Sequence, residues 1–251
     1  MLEWILIALL GFAILVFFHN QGACEFKINQ IEWTEKGKIG SLANERIPLV
    51  LRGVPPVAFW SQQDCMMRPC YSTVPVFADK GLGLWLVETN SSTVCPWSFE
   101  HARLLGQLSG LQIWTEKELN PVLHTNWFLP FWYTPEVSCW AGSKGLWQLG
   151  ARWTALFVTE GALQISILPG TSKKVLPPLW KQGTMHPNQL TVYDTPFVAD
   201  LKFMDIVLRP GHLLLMPNHW LLSWQSLEGS DLCPMVCCIE YHTPVSRFVR
   251  V

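Results

Sequence analysis

The sequence predicts a mostly β fold, preceded by one apolar helix at the N-terminus. From residue 127 onward, short apolar runs alternate with Gly, Pro and Asn, which is the pattern of a β-sandwich or barrel. Hydrophobic residues make up 49% of the 251 residues and charged residues only 15%, so the chain can form a sizeable core. This length suits one large domain with an appendage.

The N-terminal segment predicts a membrane anchor. Residues 4–18 form an unbroken apolar run, and a helix of this length nearly matches the thickness of a bilayer core. A cleaved signal peptide normally starts with a basic residue, whereas this run starts beside Glu3; a buried core helix is the third possibility. We therefore expect an uncleaved, single-pass transmembrane anchor over residues 1–20 that contacts lipid through residues 2–18.

Basic residues near the anchor predict its orientation. None precedes the apolar run, whereas Lys27, Lys36 and Lys38 follow it, which favours a cytoplasmic main domain. Residues 21–45 are polar and interrupted by glycines, so we expect a connector there. The main domain is predicted over residues 46–251.

Local patterns predict further elements. Residues 47–53 and 82–88 read as strands, and residues 98–108 read as a helix. A capping-box pattern at residues 115–118 predicts the start of a short helix that stops near Pro121. Seven more strands are predicted at residues 146–149, 153–158, 163–168, 203–208, 213–216, 220–224 and 235–241.

Three motifs in the C-terminal half resemble those of a known family. Residues 209–224 contain a Pro-Gly turn, an apolar strand that ends at Pro217, and Trp220 at the start of the next strand. Trp140-Ala-Gly142 and the run at residues 161–169 fit the same family. Together they resemble the cupin-like, JmjC-type domains of the 2-oxoglutarate oxygenase superfamily. The resemblance implies a double-stranded β-helix (the cupin or jelly-roll fold) with a few flanking helices.

The resemblance also locates the positions where relatives carry out chemistry. They bind Fe(II) through His-x-Asp and a later His, and they bind 2-oxoglutarate through a basic residue. Here His-x-Asp falls at or near Gly150 and Arg152, the later His on Leu222, and the basic residue on Leu163. Glycine and leucine side chains offer no ligand atom, and Arg152 is cationic. We therefore expect no catalytic residue, no metal ligand, and neither iron nor 2-oxoglutarate as a cofactor.

Other polar residues leave two possibilities open. A relocated metal site would have to use the remaining histidines and nearby aspartates, which otherwise are scattered turn and surface residues. Arg152 forms either a salt bridge, for example with Glu160, or a contact with a bound carboxylate or phosphate. The candidate metal residues are His186, His212, His219, His242, Asp194, Asp200 and Asp205.

Three functions are compatible with these patterns. The first is a membrane-anchored, catalytically inactive cupin-like domain that binds a protein partner or serves as a structural assembly module. The alternative is an active Fe(II)- and 2-oxoglutarate-dependent protein hydroxylase or demethylase. A second alternative is a module that binds a small acidic ligand through Arg152. The net charge of −1 argues against a nucleic-acid partner, because phosphate binding needs a clustered basic face.

Overall fold

The main part of the chain forms two facing β-sheets. The structure is a computed structural model that describes residues 2–20, 26–57, 60–77, 80–89, 93–123, 133–227 and 232–248. The described strands are β1 (Asn29–Glu32), β2 (Leu49–Arg52), β3 (Pro75–Phe77), β4 (Lys80–Gly81), β5 (Thr134–Ala141), β6 (Lys144–Gln148), β7 (Trp153–Glu160), β8 (Leu163–Leu168), β9 (Met204–Leu208), β10 (His212–Pro217), β11 (Leu221–Ser226) and β12 (Met235–His242).

The strand order defines a jelly roll. The large sheet has the order β1-β2-β10-β7-β12-β5, and the small sheet has the order β6-β11-β8-β9. From β5 to β12 the chain passes repeatedly between the sheets, and neighbouring strands in this set pair antiparallel. Eight strands in two packed sheets are the architecture that cupins share with other jelly rolls. The expectation of a β-rich, cupin-like fold is therefore confirmed.

The predicted strands coincide with observed ones because turn residues bound them. Each of the seven apolar runs predicted after residue 140 overlaps one of the strands β6 to β12. Within β8, alternate residues Leu163, Ile165 and Ile167 are fully buried, as the two-residue period of a strand requires. The strand predicted at residues 47–53 is observed as β2, which pairs with β10.

A segment without strands covers the outer face of the small sheet. Between β8 and β9 the chain forms short 3-10 turns at Gly170–Lys174, Pro178–Gln182, Pro187–Gln189 and Val198–Asp200. Leu176, Trp180 and Leu201 of this segment form a second apolar cluster with Leu168 and Leu221. The small sheet is thus buried on both faces. The packing of this segment on the sheet was not predicted from the sequence.

Helices flank the large sheet. They are α1 (Leu2–Asn20), α2 (Ile39–Asn44), α3 (Gln62–Met67), α4 (Pro69–Ser72), α5 (Leu82–Glu88), α6 (Phe99–Leu108), α7 (Leu111–Trp114), α8 (Asn120–Leu123) and α9 (Pro244–Phe248). The predicted helix at residues 98–108 is confirmed as α6, and Ser98 caps it by accepting from the backbone N–H of His101 at 3.4 Å. Helix α6 lies along β5, the edge strand of the large sheet.

The strand predicted at residues 82–88 is wrong, since these residues form helix α5. Leu82, Trp85 and Leu86 are buried, and their spacing of three and four residues gives one apolar helical face. Short apolar runs are ambiguous between strand and helix, and packing against α3 and α4 decides the outcome here.

The helix start predicted at residue 115 is also wrong. The helical segment begins at Leu111, directly after Gly110, whose φ is +72°. Thr115 lies inside this segment, where its hydroxyl donates to the carbonyl of Leu111 at 2.8 Å. A threonine that bonds back to the preceding turn cannot cap a helix start. A π-helical turn spans Thr115–Leu119, and α8 continues past Pro121.

The N-terminal apolar run is helical, as α1, and lies beside α9. Among the described residues, no helix combines the length and the apolar character needed to cross a membrane, so the predicted transmembrane anchor is not supported. Residues 21–25 of the predicted connector lie outside the described residues. The later part carries β1, a 3-10 turn and α2, and β1 pairs with β2 in parallel.

We predict that Gly106→Ala destabilises the fold by about 1–3 kcal/mol. A methyl group at this position would lie 2.6 Å from the carbonyl oxygen of Val137, so α6 would have to move off β5. Alanine favours helices over glycine, and a gain in stability would show that this close approach is unimportant. The matched control is Gly150→Ala, because nothing lies within 4 Å of its added methyl group. Urea denaturation of both variants measures the difference.

Candidate functional site

The space between the sheets is filled at two of the positions predicted for metal and co-substrate binding. Leu222 on β11 and Leu163 on β8 are fully buried members of the main apolar core. Leu222 pairs with Trp147 on one side and with Ile167 on the other. Their side chains offer neither a metal ligand nor a charge for a dicarboxylate. The assignment of these positions as former functional sites stays a prediction.

The other two motif positions lie in the turn between β6 and β7. Gly150 is exposed and Arg152 is half-buried. The guanidinium of Arg152 lies 5.5 Å from the ring centre of Trp153. Burial lowers the pKa of Arg152, the nearby Arg46 adds to this effect, and a hydrogen bond with Tyr133 opposes it.

The suggested salt bridge between Arg152 and Glu160 is not formed. Arg152 precedes β7 and Glu160 ends it, so eight residues of extended strand, about 26 Å, separate them. A carboxylate oxygen of Glu160 instead accepts from the backbone N–H of Gln62 at 2.6 Å. A pocket of about 450 Å³ adjoins Tyr133, but its charged lining residue among those described is the acidic Glu116, which disfavours an anionic ligand.

Four aromatic rings meet at one end of the interior. Trp140 on β5 faces Trp147 and Trp224 of the small sheet, with ring centres 6.1 and 6.2 Å away. Trp147 and Trp224 meet edge to face at 4.8 Å. Phe99, the first residue of α6, lies 5.0 Å from Trp140 and 5.6 Å from Trp147. These four rings, which we call the aromatic cage, join both sheets and α6.

The amine of Lys144 lies inside the aromatic cage. Its Nζ is 3.1 Å from the ring centre of Trp140, 3.8 Å from that of Phe99 and 4.3 Å from that of Trp147. Such distances give a cation–π attraction of about 2 kcal/mol or more for a desolvated ammonium. In the described part of the chain, no carboxylate lies within ion-pair distance of this amine.

A bulge in β6 explains why Lys144 and Trp147 both point inward. Leu222 pairs with Trp147 and Trp224 pairs with Lys144, so two residues of β6 oppose the single residue Ser223 between them. The extra residue shifts the alternation of side chains on β6. Lys144 could not be identified from the sequence because the predicted strand begins at residue 146, whereas β6 begins at Lys144 itself.

Burial lowers the pKa of Lys144 to about 7, and the nearby Cys95, Cys238 and Glu240 oppose this shift. The aromatic faces favour the ammonium form, while the loss of water favours the neutral amine. A lysine balanced in this way carries a larger fraction of free amine near neutral pH than an exposed lysine does. The thiol of Cys95 stays protonated there, because burial raises its pKa to about 12.

A polar cluster lies at the opposite end of β5 from the aromatic cage. Glu136 and Glu240 sit directly opposite each other on β5 and β12. The Nε2 of His242 is 3.7 Å from Glu136 and 3.6 Å from Glu240. One ligand atom from each of the three residues fits within 4.8 Å, so the cluster has the donors of a cation site.

Two arginines already compensate the charge of this cluster. Arg103 of α6 pairs with Glu136 at 2.6 Å, and Arg247 of α9 pairs with it at 3.4 Å. Both guanidiniums contact Glu136, so a divalent cation would have to compete with them for this carboxylate. The arrangement therefore supports an ion-pair network that ties α6 and α9 to the sheet better than it supports a metal centre.

Of the histidines and aspartates predicted as possible metal ligands, His242 lies close to other residues that could bind a metal ion. His212 begins β10 and His219 follows its end, so they lie at opposite ends of one strand. His186 is buried, which lowers its pKa. Among the described residues, the cluster around His242 is the one group of three possible ligands within 4.8 Å, and the remaining candidates are not part of it: His186, His212, His219, Asp194, Asp200 and Asp205.

Comparisons with known proteins find only distant similarity. No family model and no curated protein matches the chain. A solved structure of Drosophila melanogaster CENP-C bound to CAL1 aligns with a TM-score of 0.27 and 15% identity, over 41% of this chain and 63% of that one. A solved structure of hydroquinone 1,2-dioxygenase from Sphingomonas sp. TTNP3, with 4-hydroxybenzoate bound, aligns with a TM-score of 0.30 and 16% identity. This alignment covers 46% of this chain and 62% of that one. The chain spans less than two thirds of either, and the fold assignment rests on the strand order.

We predict that Lys144→Met stabilises the protein most at low pH. The folded pKa of about 7 lies below the unfolded value of 10.5, so the cost of burying the ammonium is fully present below pH 7 and vanishes above pH 10.5. A shift of this size corresponds to roughly 5 kcal/mol.

Urea denaturation at several pH values measures this difference, with the exposed Lys38→Met as the matched control. The advantage of Lys144→Met should shrink between pH 7 and pH 10.5. A difference that is the same at every pH would contradict the buried, easily deprotonated amine.

Proposed function

We propose that this protein is a catalytically inactive, JmjC-like cupin domain that serves as a binding or structural assembly module. The observation that carries the proposal is the apolar filling of the interior at Leu163 and Leu222, together with Gly150 and Arg152 at the remaining motif positions. An Fe(II) oxygenase needs three protein ligands and open coordination positions. Leucine side chains and packed indoles supply neither.

The filled interior suits a rigid scaffold that binds its partner through the surface. The aromatic cage and the leucines around it connect both sheets through close contacts. Closely packed protein interiors resist deformation, so the surface loops and helices attached to them are held in fixed positions. A partner that binds such a surface meets a preorganised shape and loses little free energy in ordering it.

The exposed surface of α1 supports contact with a lipid bilayer. Large apolar side chains along α1 are 44–75% exposed, among them Trp4, Ile7 and Leu10. A helix that is apolar on all sides is normally surrounded by a core or by lipid, since a protein groove covers only one face. We include membrane attachment through α1 in the proposed function, and the side of the membrane that the domain faces stays a prediction.

An active Fe(II)- and 2-oxoglutarate-dependent hydroxylase is the second candidate function. The cluster of Glu136, Glu240 and His242 favours it, because these residues supply two carboxylates and one imidazole. The cluster lies on β5 and β12, however, whereas the motif positions lie on β8, on β11 and in the turn between β6 and β7. Arg103 and Arg247 also form ion pairs with Glu136, so this carboxylate is already engaged.

A metal and turnover measurement separates the two candidates. Purified full-length protein, incubated with Fe(II) and then desalted, should retain far less than one equivalent of iron. It should also convert no 2-oxoglutarate to succinate above a blank. Stoichiometric iron that is lost in Glu240→Gln, together with succinate formation, would establish the enzyme and overturn the proposed inactivity.

A flotation assay tests the membrane contact. The full chain should float with phosphatidylcholine vesicles, and Leu6→Lys combined with Leu10→Lys should abolish flotation, because each buried lysine costs about 2.5–3.5 kcal/mol. Val192→Lys with Tyr193→Lys is the matched control, since both residues are exposed and lie outside α1. Wild-type protein that stays at the bottom of the gradient, or a control that also fails to float, would contradict attachment through α1.

A further inference from the structure

The environment of Lys144 differs from that of a structural ion pair. Its amine contacts three aromatic faces within 4.3 Å, and within the described ranges it has no carboxylate partner at ion-pair distance. A desolvated lysine amine in an apolar pocket is the arrangement that activates lysine as a nucleophile toward carbonyl compounds. Nothing in the proposed scaffold function requires a lysine here, and a methionine would fill the same space without a buried charge.

We propose that Lys144 is a covalent binding site for a small aldehyde or ketone, with which its amine forms a Schiff base inside the aromatic cage. The cage favours both ends of this reaction. The apolar rings exclude water and leave the free amine available, and their π faces attract the positive charge of the protonated Schiff base. The same rings thus promote attack by the neutral amine and hold the cationic product.

The reaction balances without an oxidant or a reductant. The lone pair of the Lys144 nitrogen attacks the carbonyl carbon, a C–N bond forms, and the π electrons of the carbonyl move to oxygen. A proton passes from nitrogen to oxygen to give a carbinolamine. The C–O bond then breaks and oxygen leaves as water with a second hydrogen from nitrogen, while the nitrogen lone pair forms the C=N bond. Protonation from solvent gives the iminium cation.

The surroundings of Lys144 limit the size of the ligand and its route of entry. Trp140 and Trp224 are buried, whereas the ring of Phe99 at the start of α6 is 41% exposed. Phe99 therefore borders the cage on the solvent side, and we infer that a ligand reaches the amine when this ring moves. The tight contacts favour a carbonyl compound of two to three carbons. The neighbouring Cys95 does not compete, because its thiol remains protonated at neutral pH.

Reductive trapping tests the site on the full-length protein. The folded protein is incubated with limiting acetaldehyde and sodium cyanoborohydride at pH 7, and alkylated lysines are located by peptide mass spectrometry. Lys144 should be alkylated at least tenfold more than Lys38, whose side chain is 68% exposed. The preference should disappear in 8 M urea, where all lysines are equivalent. Equal or weaker alkylation of Lys144 in the folded protein would overturn the proposal.

Variants distinguish a reactive site from a merely buried lysine. Lys144→Arg should keep the fold and abolish the preferred alkylation, since a guanidinium does not form Schiff bases under these conditions. Phe99→Leu removes one π face and should lower the yield at Lys144 severalfold without changing alkylation of Lys38. Phe197→Leu, another exposed phenylalanine, is the matched control. An unchanged yield in Phe99→Leu would remove the role of the cage and overturn that part of the proposal. None of these readouts depends on iron, so they stand apart from the test of inactivity.

Discussion

The contact between the two sheets through Trp140, Trp147 and Trp224 is the interaction on which the rest of the structure depends. These indoles come from the consecutive strands β5 and β6 and from the distant strand β11, and they meet edge to face or tilted at 4.8–6.2 Å. Large aromatic side chains bury the most area per residue and favour such geometry. Their meeting sets the spacing of the sheets at this end, and it fills the volume that a ligand would otherwise occupy.

The jelly roll could be predicted from the sequence because its information is local. Gly, Pro and Asn mark the turns, and the apolar runs between them fall on β6 to β12. Residues 82–88 show the limit of this reasoning. Their spacing fits a short strand and a helix equally well, and only the neighbouring helices select α5. The 3-10 segment between β8 and β9 lacked any period, so its packing on the small sheet had no signal in the chain.

The aromatic cage could not be predicted, for a different reason. Its members come from three strands and α6, and no local spacing connects Phe99 with Trp224. Lys144 lies outside the strand predicted at residues 146–149, and the bulge in β6 would also have put it out of phase with Trp147. Leu163 and Leu222 were singled out by a resemblance between sequence motifs, and such a resemblance cannot indicate a site built from residues outside those motifs.

A filled interior and a reactive lysine are compatible because they follow from the same packing. In the proposed inactive domain, buried apolar side chains such as Leu163 and Leu222 stand at the positions predicted for iron and co-substrate binding, and they exclude water from the space between the sheets. The same removal of water makes an ammonium costly and a free amine favourable, so it activates a nucleophile that needs no metal. The packing that supports the proposed inactivity is thus also the packing that supports the proposed carbonyl chemistry of Lys144.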